Sequence, residues 1–181
     1  MNLLMEEIGS PIGTVYLVTD GKAVRAIDFG GYEARMHRLL GRHYGEYHLQ
    51  SAKDTTGASS RLIDYFAGDL EAVQGLAVAT NGTSFQQAVW RALRSIPTGT
   101  TVSYAAIAEQ IGRPKACRAV GLANGSNPIA IVVPCHRVIG ANEGLTGYGG
   151  GLERKQWLLE HEGVSLKPSR PVRPRLAAGQ V

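Results

Sequence analysis

Residues 103–125 read SYAAIAEQIGRPKACRAVGLANG, and this stretch decides how the second half of the chain is built. Ser103 is placed as the N-cap of YAAIAEQI, because a serine hydroxyl satisfies a free amide where a helix begins. Gly112-Arg113-Pro114 interrupts the helix, and KACRAVGLANG resumes it with small residues spaced for close packing. Two short helices across a tight Gly-Pro turn predict a helix-turn-helix. Any helical protein offers such pairs, so the pattern alone does not name DNA as the partner.

Upstream, Phe85, Val89 and Leu93 line one face of FQQAVWRALRSI, with Thr83 and Gln86 spaced for a capping box and Pro97 and Gly99 ending the helix. Downstream, IAIVV at 129–133 is β-branched and bounded by Pro128 and Pro134, which predicts a buried extended segment. It stops at Pro134-Cys135-His136-Arg137-Val138. The Gly-rich GLTGYGGG (144–151) precedes a last helix in RKQWLLEHEG (154–163), with Gly163 as its cap.

The first eighty residues read differently. TVYLVT (14–19) and AVRAIDF (23–29) flank Asp20-Gly21 as a hairpin, helical patterns follow at Glu33 to Tyr44 and Ser59 to Phe66, and a polar link from Thr80 to Thr83 marks a boundary. The predicted organisation is a small α/β N-terminal domain over 1–80, a mainly α-helical domain containing the helix-turn-helix over 81–166, and a flexible, proline-rich basic tail over 167–181. There is no internal repeat.

The net charge of +4 invites a nucleic-acid reading, but Lys167, Arg170, Arg173 and Arg175 account for all of it. The rest of the chain balances fifteen basic against fifteen acidic side chains, so any DNA affinity must come from local placement. No run approaches about eighteen apolar residues, and MNLLMEEIGSPIG has acids where a signal peptide needs a basic flank. A soluble, unexported, cytoplasmic protein without membrane contact is expected, with Cys117 and Cys135 kept as thiols.

A thiol beside an imidazole is the chemically loaded feature, since thiolate is the nucleophile and a neighbouring base activates it. Cys135-His136 is that pair, although adjacent residues usually point apart and a bridging water is then needed. On residues alone, a buried thiol beside a surface histidine is the alternative. Glu162 supplies a carboxylate of the type that orients a histidine, or is simply a solvated helix-end acid. Cys117, Cys135, His136 and His161 lack the paired short spacings of a zinc site, so no metal is expected.

PCHRV at 134–138, preceded by NPIAIVV, with VSYAAIA upstream and GYGGG and RKQWLLEHEG downstream, resembles the O6-alkylguanine-DNA alkyltransferase family, most closely its stand-alone bacterial members. The likeness is a colinear block from about Thr83 to Gly163, with looser support in SPIGTVYL and DYFAGDL. The resemblance implies direct repair of O6-alkylguanine in double-stranded DNA. The base is flipped out, and its alkyl group passes irreversibly to Cys135, one per protein, with no cofactor. It implies a ribonuclease H-like N-terminal domain and a monomer that contacts the minor groove.

Residue by residue, the resemblance makes Cys135 the acceptor, His136 its base through a water, and Glu162 the group orienting His136. Tyr104 would crowd the target phosphate and give a proton to the departing guanine. Arg118 would fill the gap left by the flipped base, and Asn127 would hinge the helix-turn-helix to the acceptor segment. Ala119, Gly121, Ala123 and Gly125 would let the second helix approach DNA closely. The carbonyls of Cys135 and Val138 would read the guanine edge, in a pocket shared with Tyr148, Gly149 and Lys155.

Three positions depart from the family pattern. Gly149 stands where some members carry a hydroxyl-donating serine, Cys117 stands where a small residue is common and is expected to pack as one, and the proline-rich tail has no assigned role. The chain shows no cysteine-rich N-terminal segment, which disfavours the zinc-dependent regulator form. Two other classes compete: a module that binds alkylated DNA without reacting, which carries tryptophan at the acceptor position, and a cysteine hydrolase built on Cys135, His136 and Glu162.

Overall fold

The computed structural model describes residues 1–141 and 144–165; the expected tail, 167–181, lies outside the described residues. Strands β1 (Asn2–Ser10), β2 (Gly13–Thr19) and β3 (Val24–Phe29) form an antiparallel meander. After helix α1 (Glu33–Tyr44), β4 (His48–Ser51) adds parallel to β1, giving a mixed sheet of order β3-β2-β1-β4. The expected hairpin is present as β2 and β3. The opening residues, read above only for what they lack, form a nine-residue strand, with Leu3 and Ile8 buried and Glu7 exposed.

Strand alternation sorts the core. Val18 and Ala26 face Met36 and Leu40 of α1, while Val15, Leu17, Ile27 and Phe29 face the rest of the molecule. Helix α2 (Ala58–Phe66) buries Ala58, Leu62 and Tyr65 at helical spacing, and Tyr65 is fully buried although it carries a hydroxyl. A long link then leads to α3 (Ser84–Arg94). Thr83 closes the predicted capping box, with Gln86 N donating to Thr83 Oγ1 at 3.2 Å and Thr83 N to Gln86 Oε1 at 3.0 Å.

Short strand β5 (Val102–Ser103) leads into α4 (Tyr104–Gln110), capped by Ser103, whose Oγ accepts from Ala106 N at 3.1 Å. Helix α5 (Cys117–Gly125) packs on α4 and on α3, where Trp90 Nε1 donates to Ala123 O at 2.9 Å. Then come a 3-10 turn (Cys135–Arg137), β6 (Val138–Ile139) parallel to β5, and α6 (Leu152–His161). Gly163, at φ 83°, terminates α6 in the left-handed conformation that glycine adopts without Cβ cost. Among the described residues no helix is long and apolar enough to cross a membrane.

Candidate active site

Residues 129–133 are buried as expected, but they are turned, not extended. Only Ile129 bridges a strand, at Ile27, and Val133 N folds back to Ile129 O at 3.1 Å. The reason is Asn127, fully buried where α5 ends. Its Oδ1 accepts from Ile129 N at 3.0 Å, and its Nδ2 is within reach of Ile129 O (3.3 Å), Val133 O (2.8 Å) and Cys135 Sγ (3.1 Å). One side-chain amide thus replaces a neighbouring strand and touches the thiol. Ile131, a β-branched residue at φ 67°, carries the strain of this compact loop.

The loop delivers Cys135 into the 3-10 turn at 5% exposure. Its carbonyl accepts from Val138 N and from Asn124 Nδ2 (3.3 Å), so both lone pairs that were expected to read a guanine are already engaged. Val138 O accepts one bond, from Lys155 Nζ at 2.6 Å.

His136 is fully buried, not at the surface. Its Nε2 donates to Glu162 Oε1 at 2.9 Å, and its Nδ1 has no protein partner among the described residues. Glu162 collects three further bonds: Tyr65 Oη to Oε1 at 2.8 Å, Arg137 Nη2 to Oε1 at 2.9 Å, and Arg137 Nε to Oε2 at 2.8 Å. Arg137 also donates to Ile96 O at 2.6 Å. Glu162 is therefore a buried acid serving four donors, not a solvated helix-end group.

Burial pushes the Cys135 thiol up, opposed by the Asn127 hydrogen bond and the charges of Arg35 and Lys155. Burial pushes His136 down more strongly than Glu162 pulls it up, so the resting imidazole is neutral. Burial raises the Glu162 carboxyl, but hydrogen bonds from His136 and Arg137 outweigh it and hold the group well below the carboxylate range. The charge of Glu162 is thus spent on Arg137, and its bond to Nε2 leaves the Nδ1 lone pair of His136 available as a base.

Lys155 is fully buried on the face of α6 that also carries Leu158, Leu159 and Glu162. Its Nζ bonds Val138 O and Thr146 O (3.0 Å), and burial lowers its pKa to about 8. Tyr148 has a buried hydroxyl without a hydrogen-bond partner among the described residues. A Cβ on Gly150 would lie 2.5 Å from the Phe29 ring, so that position approaches its neighbours as only glycine permits, whereas one on Gly149 would lie 2.7 Å from the Arg35 guanidinium, the far end of a long side chain. Arg35 in turn reaches from α1 to Asp28 (2.6 Å) and to the carbonyls of Gly125 and Asn127, both at 3.0 Å.

On α5, Arg118 and Ala119 are exposed and Gly121 is half-buried against the Tyr104 ring. Ala123, expected to face DNA, is instead buried at 3% and packs beneath α3. Cys117, expected to pack, is exposed. Tyr104 Oη accepts from Thr146 Oγ1 at 3.3 Å, linking α4 to the Gly-rich segment. Among the described residues no three His, Cys, Asp or Glu side chains lie close enough to hold a metal ion.

The structure therefore gathers Cys135, His136, Glu162, Asn127, Val138 and Lys155 into one buried cluster, and sets Arg118, Ala119, Gly121 and Tyr104 on the α4–α5 surface beside it. Reading of the sequence missed Arg137, Tyr65, Asn124 and Arg35. Only Arg137 carried a local signal, as the fourth residue of PCHRV.

Residues 84–164 match the family described as 6-O-methylguanine DNA methyltransferase, DNA binding domain. A methylated-DNA–protein-cysteine methyltransferase of Salmonella typhimurium is 52% identical over 169 residues, covering 92% of this chain and 99% of that protein. Among solved structures, Mycobacterium tuberculosis OGT in complex with DNA has a TM-score of 0.75 at 45% identity, over 90% of this chain and 92% of that one. The O6-methylguanine-DNA methyltransferase of Pyrococcus kodakaraensis has a TM-score of 0.72 at 28% identity, over 90% and 99%. With half of its residues shared across nearly its whole length, this chain belongs to the 6-O-methylguanine DNA methyltransferase family.

Proposed function

We propose that this protein repairs O6-alkylguanine in double-stranded DNA by taking the alkyl group irreversibly onto Cys135, once per molecule. The observation that carries the reading is the buried Cys135 thiol, held by Asn127 at 3.1 Å, next in sequence to a neutral imidazole that Glu162 fixes with Nδ1 free. Through a bound water, the thiol proton passes to His136 Nδ1. The thiolate attacks the alkyl carbon, the C–O bond breaks, and Tyr104 protonates the departing guanine; the proton held by His136 then returns through solvent to the Tyr104 oxygen, so that in net the proton lost by sulfur is replaced on the base and both side chains end as they began. A thioether remains. It has neither a hydrolysable acyl bond nor a good leaving group, so nothing resets it.

The remaining assignments belong to the same reading. Helices α4 and α5 act as a helix-turn-helix within the 81–166 unit, carried beside a ribonuclease H-like unit over 1–80. The monomer lays α5 in the minor groove, Ala119 and Gly121 permit the approach, and Arg118 occupies the space of the flipped base. Flipping is required because the target carbon lies inside the duplex, out of line with any thiolate, and it costs a few kcal/mol. Val138, Tyr148, Gly149 and Lys155 line the pocket. Lys155 fixes the Val138 carbonyl that receives the guanine edge, and its charge favours the thiolate.

The test is mass spectrometry after incubation with a duplex containing O6-methylguanine, followed by peptide mapping. One methyl on the Cys135 peptide is expected. An unmodified protein that nonetheless holds the duplex would favour a binding module, and release of product with unmodified protein would favour a hydrolase.

A further inference from the structure

The way α5 packs leaves one large apolar side chain uncovered. Leu122 is 73% exposed, well above Ile63, Leu152 and Met1. It sits one turn after Arg118, on the face that also carries the exposed Ala119 and Gly125, while Val120, Ala123 and Asn124 point into the core. A single exposed leucine is ordinary; the setting of this one is not. No acid occurs between Glu109 and Glu143, and Arg113, Lys115 and Arg118 are all exposed without an ion-pair partner among the described residues. A chain whose charges otherwise balance carries three free cations on the turn into, and the first turn of, the helix that bears this apolar knob.

That combination selects its occupant. A second copy of this face would bring like charges together, whereas a duplex offers phosphates to the cations and a groove with apolar walls to the leucine. Four helical residues span about 6 Å, close to two base steps of about 3.4 Å. We propose that Leu122 is a second DNA probe, an apolar wedge in the minor groove bearing on the base step about two pairs from the one that Arg118 enters. Because a wedge partly unstacks its step, the protein should prefer a pliable pyrimidine–purine step there. This rests on the repair reading above.

The test compares the full chain with Leu122→Ala, Leu122→Met and Lys115→Ala in binding to duplexes across a salt series, with benzyl transfer from free O6-benzylguanine measured on each protein as the reference. Leu122→Ala should weaken duplex binding about tenfold more than any loss on the free base. Its salt slope should match wild type and its step preference should vanish, and Leu122→Met should recover most of both. Lys115→Ala should instead flatten the slope by about one phosphate contact. Duplex binding by Leu122→Ala equal to wild type, or a methionine variant as weak as alanine, overturns the wedge alone. A wild-type chain that takes neither a benzyl group from the free base nor a methyl group from an O6-methylguanine duplex overturns the repair reading and the wedge with it.

Discussion

Glu162→Gln keeps the shape of the side chain and removes its charge. Four donors converge on the carboxylate, three at Oε1 and Arg137 Nε at Oε2. A glutamine satisfies those at Oε1 with its carbonyl, but its amide then faces Arg137 Nε, donor against donor, and leaves a buried cation unpaired. Breaking a buried ion pair from one side costs about 3–5 kcal/mol. For a chain of this size that is roughly 6–20 °C in Tm. The pH dependence follows from the direction of the shift. Since the folded-state pKa lies below the ordinary 4.5, the stabilisation is complete above about pH 4.5 and is lost as pH falls toward the folded value. Thermal unfolding of both proteins from pH 7 to pH 3 should show a gap that is widest at neutral pH and narrows on acidification. Alkyl transfer at pH 7 should fall on the order of 10²–10⁴-fold, since the glutamine carbonyl still accepts from Nε2 but no longer carries the charge that stabilises His136 once Nδ1 has taken the thiol proton. A variant within about 2 °C of wild type at pH 7, or a gap that does not narrow, would refute the reasoning.

Cys135→Ser should be inactive and Cys117→Ala active, because only the former thiol is buried against Asn127; peptide mapping that placed the alkyl group on Cys117 would contradict this. Lys155→Met should raise the apparent thiol pKa, read from the pH dependence of benzyl transfer, since a nearby cation is lost. A lysine whose folded-state pKa is lowered destabilises while charged and is relieved as pH rises through about 8, so the stability of wild type relative to Lys155→Met should rise between about pH 8 and 10. Arg118→Ala should impair repair of duplex DNA more than reaction with free O6-benzylguanine, as a side chain that replaces a flipped base has no task when nothing is flipped; equal losses would remove it from that role.

Local chemistry was legible where a short pattern has one physical solution. The Thr83–Gln86 box, the Ser103 cap and the termination at Gly163 are each set by neighbours in sequence, and the helix at Glu33–Tyr44 begins and ends where its apolar spacing does. Where a distant partner decides, the sequence was silent. IAIVV has the composition of a strand, but Asn127 occupies the hydrogen-bonding groups that a strand would use. Lys155 falls at helical spacing with the buried Leu158, Leu159 and Glu162, but only the resemblance to the family, and no pattern in the residues themselves, put it in the pocket. Ala123 and Cys117 were misread because small residues surround α5, and only the packing of Trp90 fixes which side faces inward. Arg35 and Tyr65 lie 92 and 97 residues from the groups they bond, Asn127 and Glu162, a separation no local pattern encodes.

The central claim is that Cys135 is consumed. Purified protein should be titrated with a growing excess of duplex containing O6-methylguanine, and restored guanines counted against protein molecules. A plateau at one guanine per protein is expected, with every molecule carrying a single methyl on Cys135. Repair that continues past that ratio, with Cys135 regenerated as a free thiol, would contradict the account.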